Sequence, residues 1–221
     1  MRASDPVVSV VIPARNEARY LPQTLSALTR QGNVPFETIV IDGNSSDRTR
    51  EVARSFGVQL FEQTGTGIGA ARHEGAERAR GEWIAFVDAD TQPTPSYLME
   101  MLSFVAQEDL DAATSRCRVV GSRRGKAKQV VVNRVFPHLR RPILPGFNFF
   151  VSATVYAESG GFPNVPNEDT AYSRTLAVDY DVAYHPEILV ETSGRRFSES
   201  GLTGALYHYL RLDVGRLRAN S

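Results

Sequence analysis

The feature that most constrains this chain is the run Trp83-Ile84-Ala85-Phe86-Val87, followed at once by Asp88-Ala89-Asp90. An apolar run of that length with aromatic and β-branched residues reads as a buried strand. Asp does not stay buried, unpaired and ionised, so the two acids belong where the strand leaves the sheet. In open α/β sheets, ligands bind outside the carboxyl ends of the strands. Two close carboxylates raise each other's pKa unless a cation neutralises them. A hard divalent ion, Mg²⁺ or Mn²⁺, shared with substrate phosphates is the natural one. For this motif alone, a strand running into an Asp-rich turn is the plain alternative.

The preceding chain follows the same plan. Residues 7–12 form an almost wholly apolar strand ended by Pro13. A loop carrying Arg15, Asn16 and Glu17 leads to a helix starting near Tyr20 or Leu21, with Leu21, Leu25 and Leu28 as its stripe. A second strand, 36–41, runs into Asp42. The turn 43–47 supplies a Ser cap for a helix over 47–56. A strand over 58–61, the run Gly65-x-Gly67-x-Gly69 and a helix over 70–80 complete this half. Alternating strands and helices with short loops predict an α/β fold with a parallel sheet. Glu17, Asp42 and Asp88 then share one rim.

The second half is less regular. A helix over 95–106 precedes a strand over 112–120 that carries Arg116 and Arg118. A basic turn over 121–128, a helix over 130–139 and an aromatic segment over 143–156 follow. Asn167-Glu168-Asp169-Thr170 opens a helix to about 178, with Asn167 as its expected cap. Short strands over 182–184 and 187–192 and a closing helix over 199–218 end the chain. There is no repeat or linker, so residues 1–221 read as a single domain.

Composition narrows the function. The 221 residues hold 25 Lys and Arg against 25 Asp and Glu, so no global basic field draws nucleic acid. The cations concentrate after residue 115, and Arg116, Arg118, Arg195 and Arg196 are candidates for phosphate or acceptor contact. Cys117 is the sole cysteine and the four histidines are scattered, which excludes an internal disulfide and argues against a zinc site. No signal peptide or membrane-spanning run is visible, so a cytosolic location is expected. The closing helix, with a Leu/Tyr face beside Arg211, Arg216 and Arg218, fits either core packing or peripheral contact at the cytoplasmic membrane face.

The glycine run departs in register from the dinucleotide fingerprint, because position 70 is Ala. Those glycines instead read as places where the backbone passes close to a ligand or a neighbouring strand. Asp169, near a helix start, stays ionised and could act as a general base toward a hydroxyl.

Taken together, Val10-Val11-Ile12-Pro13-Ala14-Arg15-Asn16-Glu17, Ile41-Asp42-Gly43-Asn44-Ser45-Ser46-Asp47-Arg48-Thr49, Gly67-Ile68-Gly69-Ala70-Ala71-Arg72, Asp88-Ala89-Asp90, Gly160-Gly161-Phe162 and Glu168-Asp169 resemble glycosyltransferase family 2, the inverting transferases with the GT-A fold. The resemblance covers about residues 7–200. It implies a single GT-A domain with a mostly parallel central sheet flanked by helices. Residues 7–111 would form the nucleotide-sugar half and 112–221 the acceptor half.

The resemblance also implies roles. Pro13 and Glu17 would border the nucleoside pocket, Asp42 the base, and Arg72 the diphosphate. Asp88 would lie between ribose and metal, Asp90 would hold Mn²⁺ or Mg²⁺, and Asp169 would be the catalytic base with Glu168 beside it. The implied partners are a UDP- or GDP-sugar and a glycan, lipid or other hydroxyl acceptor. Asp88-Ala89-Asp90-Thr91-Gln92 is also similar to the metal motif of polyprenyl-phosphate sugar synthases, in which such a Gln can complete the coordination. That makes Gln92 a candidate ligand and those enzymes the alternative activity. A non-catalytic nucleotide-binding module is the alternative of another class.

Overall fold

The computed structural model describes residues 5–121 and 123–195. The first half alternates as its apolar patterning requires: β1 (Val8–Ala14), α1 (Leu21–Leu28), β2 (Phe36–Asp42), α2 (Thr49–Ser55), β3 (Gln59–Glu62), α3 (Ile68–Ala76) and β4 (Trp83–Val87). It continues with β5 (Thr91–Pro93), α4 (Tyr97–Gln107), β6 (Ala112–Val120), α5 (Arg123–Arg134) and a 3₁₀ turn (Phe136–His138). Then come β7 (Asn148–Ser152), α6 (Ala153–Glu158), α7 (Glu168–Asp179) and β8 (Val182–Ser193). Among the described residues the strands form one eight-stranded sheet in the order β3-β2-β1-β4-β7-β6-β8-β5.

Strands β3, β2, β1 and β4 are parallel, joined by crossover helices. Strand β7 enters antiparallel between β4 and β6. The β6–β8 pair is parallel again and β5 closes the edge antiparallel to β8. The α/β class, with a largely parallel sheet flanked by helices, is therefore as expected.

Alternation within the central strands explains the two helical layers. Val8, Val10 and Ile12 of β1 and Ala85 and Val87 of β4 face the layer with α1 and α4. Val11, Ile84 and Phe86 face the layer with α6 and α7. A strand covered on both faces needs a nearly continuous apolar run; β4 has one, and β1 breaks its run only at Ser9, whose hydroxyl donates to Glu37 Oε1 at 2.7 Å. Phe86 lies among rings: Phe162 edge-on at 4.9 Å, Tyr156 tilted at 5.4 Å and Phe149 edge-on at 6.4 Å.

Several expected boundaries move. The basic segment expected as a turn over 121–128 is already helical from Arg123, because Lys, Arg and Ala are good helix formers. The helix ends at Arg134 rather than 139, as Pro137 allows only a 3₁₀ turn. The two short strands expected over 182–192 are one strand, β8. Its pairing slips from Ser115↔His185 to Arg116↔Ile188, so Pro186 and Glu187 bulge out of the ladder. Strand β5 was not expected; three residues are too few to carry a pattern. Beyond Ala113, the free edge of β6 is capped by α5. Asn133 Oδ1 accepts the Cys117 N–H (3.0 Å), Asn133 Nδ2 donates to the Cys117 carbonyl (2.8 Å), and Gln129 Oε1 accepts the Val119 N–H (2.7 Å).

Two expected caps also differ. Helix α2 starts at Thr49, where Asp47 Oδ1 accepts the backbone N–H at 3.0 Å, so the acid takes the role expected of Ser. Asn167 adopts a left-handed conformation (φ 55°) and makes no side-chain cap bond. The closing helix expected over 199–218 lies outside the described residues, as does Arg196. No helix among the described residues is long and apolar enough to cross a membrane.

Phe86→Ala would empty the centre of the ring cluster. It is expected to lower unfolding free energy by about 3–5 kcal/mol, read from urea titration. An unchanged midpoint would mean that the rings repack without it.

Candidate active site

The carboxyl ends of β1, β2 and β4 meet on one edge, because both β2 and β4 are parallel to β1. Glu17, Asp42, Asp88 and Asp90 gather there and are all buried. Pro13 is buried beside them in β1, paired with Ile41. The expected rim is present.

Each acid is held differently. Asp42 Oδ2 accepts from Arg50 Nε (2.8 Å) and from the Ser45 N–H (3.1 Å). Its Oδ1 is buried with no hydrogen-bond partner. A buried acceptor left unpaired costs about 1–3 kcal/mol. Around it, the Asn16 N–H donates to Ser45 Oγ (2.9 Å), and the Ser46 N–H donates to Asn16 Oδ1 (2.9 Å). The Glu17 N–H donates to Thr49 Oγ1 (2.8 Å), locking the β1 loop to the β2 loop.

Arg195, just past β8, reaches across to the same rim. Its Nη2 lies 2.7 and 2.8 Å from the two Glu17 oxygens and 3.4 Å from Asp90 Oδ2. Its guanidinium stacks over Tyr20 at 4.4 Å. Arg195, expected at a phosphate or acceptor position, thus joins the acids of the first half.

Arg72 lies deeper. Its Nη2 pairs with Asp88 Oδ1 at 2.8 Å and its Nη1 with Glu168 Oε1. It is 2 % exposed and lies over the Phe162 ring at 5.3 Å. Burial works against the guanidinium's charge, but Asp88, Glu168 and Asp169 together outweigh it and raise its pKa. Glu168 is pushed above the usual carboxylate range, chiefly by burial, with Arg72 opposing. Arg72, expected near the diphosphate, is paired with two buried carboxylates. A side chain with this many ionic partners ties β4 to the start of α7.

That tie brings Asp169 alongside. Asp169 is half-buried, and its Oδ2 accepts the Gly146 N–H at 3.1 Å. Gly146 also has to be glycine: a Cβ there would sit 2.6 Å from the Arg72 guanidinium. Gly69 passes equally close to the backbone of the next loop, where a Cβ would meet the Pro163 carbonyl at 2.6 Å. The close approach expected of the glycine run is therefore to a neighbouring loop.

Not every candidate converges. Arg116 and Arg118 are exposed, on the part of β6 flanked by α5 and β8, and Arg118 makes only a 3.9 Å contact to Glu191. Gln92 Nε2 donates to Gln23 of α1 at 3.2 Å, leaving its oxygen as the atom a hard cation would use. Arg50 and Gly146 were missed. Arg50 sits eight residues from Asp42, a spacing with no pattern, and Gly146 is far from both partners in sequence.

Among the described residues no group of three or more His, Cys, Asp and Glu side chains could hold a metal alone. Asp88 and Asp90, one residue apart at a strand end, fit the mode in which one or two carboxylates share Mg²⁺ or Mn²⁺ with substrate phosphates.

Residues 9–156 match the family model described as "Glycosyl transferase family 2". The glycosyltransferase AglE of Haloferax volcanii is 29% identical over 210 residues, covering 84% of this chain and 69% of AglE. The structure of S. aureus TarS 1-349 in complex with UDP-GlcNAc superposes with a TM-score of 0.74 at 18% identity, over 93% of this chain and 64% of that one. Mannosyltransferase PcManGT from Pyrobaculum calidifontis, in complex with GDP-Man and Mn²⁺, gives 0.71 at 22%, over 85% of this chain and 56% of that one. The chain thus spans less than two thirds of these solved structures.

Removing the central cation is the direct test of this arrangement. Arg72→Met is expected to cost about 3–5 kcal/mol, the loss typical of breaking a buried pair, measured by urea unfolding. An unchanged midpoint would show that the two acids need no cation. Because the family model matches residues 9–156, two thirds of the sequence, this chain belongs to glycosyl transferase family 2 and is a glycosyltransferase.

Proposed function

We propose that this chain moves a sugar from a nucleoside-diphosphate donor to a hydroxyl acceptor with inversion, assisted by a divalent metal. The observation that carries this reading is the Arg72 bridge, which holds Asp88 at the end of β4 and the Glu168-Asp169 pair at the start of α7 in one site. Donor residues would come from 7–111 and acceptor residues from 112–221.

On the donor side, the unpaired Asp42 Oδ1 would accept the ring N–H that both uracil and guanine carry. Pro13 and Glu17 would border the nucleoside. Asp88 and Asp90 would hold Mn²⁺ or Mg²⁺, with Gln92 Oε1 as a third contact. When bound, the metal would offset the charge that develops on the departing diphosphate. Bound UDP-GlcNAc in TarS, and GDP-Man with Mn²⁺ in PcManGT, support a nucleotide sugar and a divalent ion here.

On the acceptor side, Asp169 would take the hydroxyl proton while the oxygen attacks the anomeric carbon opposite the diphosphate. The carbon–oxygen bond to the diphosphate then breaks and the configuration inverts. The Gly146 and Thr170 N–H groups aim the Asp169 carboxylate. Lys128 of α5 is near enough for its charge to interact with Asp169. The acceptor would be a glycan, a lipid or another hydroxyl compound.

Asp169→Asn should cut transfer about 10²–10⁴-fold while leaving donor affinity unchanged. Wild-type turnover in that variant would remove Asp169 as the base. Asp90→Ala should abolish the Mn²⁺-dependent part of UDP- or GDP-sugar binding in calorimetry. Equal affinity with and without Mn²⁺ in the unsubstituted protein would count against the metal.

A further inference from the structure

The distribution of charge sets one region apart. Residues 112–157 contain nine Lys and Arg and no Asp or Glu, in a chain whose formal net charge is zero. Much of this excess is on or beside α5. Lys126, Val130 and Arg134 follow at four-residue steps, so they form one stripe on the helix. All three are exposed, Val130 at 52%, and Val135 just beyond the helix is 41% exposed. The opposite side of the helix is spoken for: Val132 is in the core, and Gln129 and Asn133 cap the β6 edge.

Beside the stripe lies a cleft of about 650 Å³, bounded by Arg116, Val130, Arg134, Pro186, Glu187 and Ile188. Pro186 and Glu187, where β8 bulges, are among the residues that line it. Ile188 is 40% exposed, and Val120 at the end of β6 is 38% exposed. Arg116 and Arg134 therefore face a concave surface edged with solvent-exposed aliphatic side chains, with Glu187 the one acid among the described lining residues.

We propose that this face docks on an anionic lipid bilayer. Arg116 and Arg134 would take a headgroup phosphate in the cleft, and Val130 and Ile188 would enter the interfacial layer. The pairing of cations with aliphatic residues on one exposed face is what an interfacial helix needs. Guanidinium groups match phosphate oxygens in geometry as well as charge. A polyanion such as RNA would want aromatic side chains between the cations for base stacking, and the lining of this cleft has none. The closing segment over 199–218 lies outside the described residues.

The test uses the full chain and sedimentation with vesicles of phosphatidylcholine, with and without phosphatidylglycerol. Binding is expected only with phosphatidylglycerol and should weaken as salt rises. Arg116→Ser with Arg134→Ser should weaken it about thirtyfold, from about 1 kcal/mol for each cation at a membrane surface. Val130→Ser with Ile188→Ser should weaken it severalfold at high salt, where the apolar part remains. Arg54→Ser, on α2 at the far end of the sheet, should change nothing, and unfolding midpoints confirm that each variant is folded. Equal binding to neutral vesicles, or undiminished binding by the double arginine variant, would overturn the proposal. So would heparin binding without vesicle binding. Sedimentation reads no sugar transfer, so this outcome is independent of the catalytic reading.

Discussion

The structure depends on one buried cation. Arg72 is nearly inaccessible, yet it carries a full charge because Asp88 and Glu168 meet its two terminal nitrogens. Desolvating a guanidinium costs several kcal/mol, and only close pairing offsets that. The pairing dictates the neighbourhood. Position 146 must lack a Cβ, Phe162 supplies the floor, and α7 has to begin where Glu168 can reach. The strand that ends in Asp88 and the helix that begins with Glu168 are thereby held in one geometry, 80 residues apart in sequence.

A second cation acts nearer the surface. Arg195 joins Glu17 and Asp90, so the end of β8 closes over the loops that follow β1 and β4. Two carboxylates in a poorly solvated place repel, and each here has a guanidinium beside it. Among the described rim acids, Asp42 keeps a buried oxygen, Oδ1, without a hydrogen-bond partner.

The two halves of the sheet were not equally legible. In the first half, apolar runs on β1, β2 and β4 alternate with amphipathic helices, and each loop is short. Parallel pairing and the placing of Glu17, Asp42 and Asp88 on one edge follow from right-handed crossovers alone. In the second half the determinants are long-range. Propensity makes the segment helical from Arg123, and α5 then lies along the open edge of β6, where the Asn133 and Gln129 amides bond to it. The bulge at Pro186 lets two short patterns become one strand. Neither contact leaves a periodic trace.

By itself the sequence determined the α/β class, the rim of acids and the family, because these rest on local patterning and on motifs whose order survives in one dimension. Only the tertiary structure decided what the arginines do. Arg72, Arg195, Arg116 and Arg118 look alike as exposed-type residues in a string. Folding buries Arg72 between two acids, lays Arg195 on Glu17 and Asp90, and leaves Arg116 and Arg118 on an outer face. A charge takes its role from the carboxylates and solvent around it, and those neighbours come from strands and helices far apart in the chain.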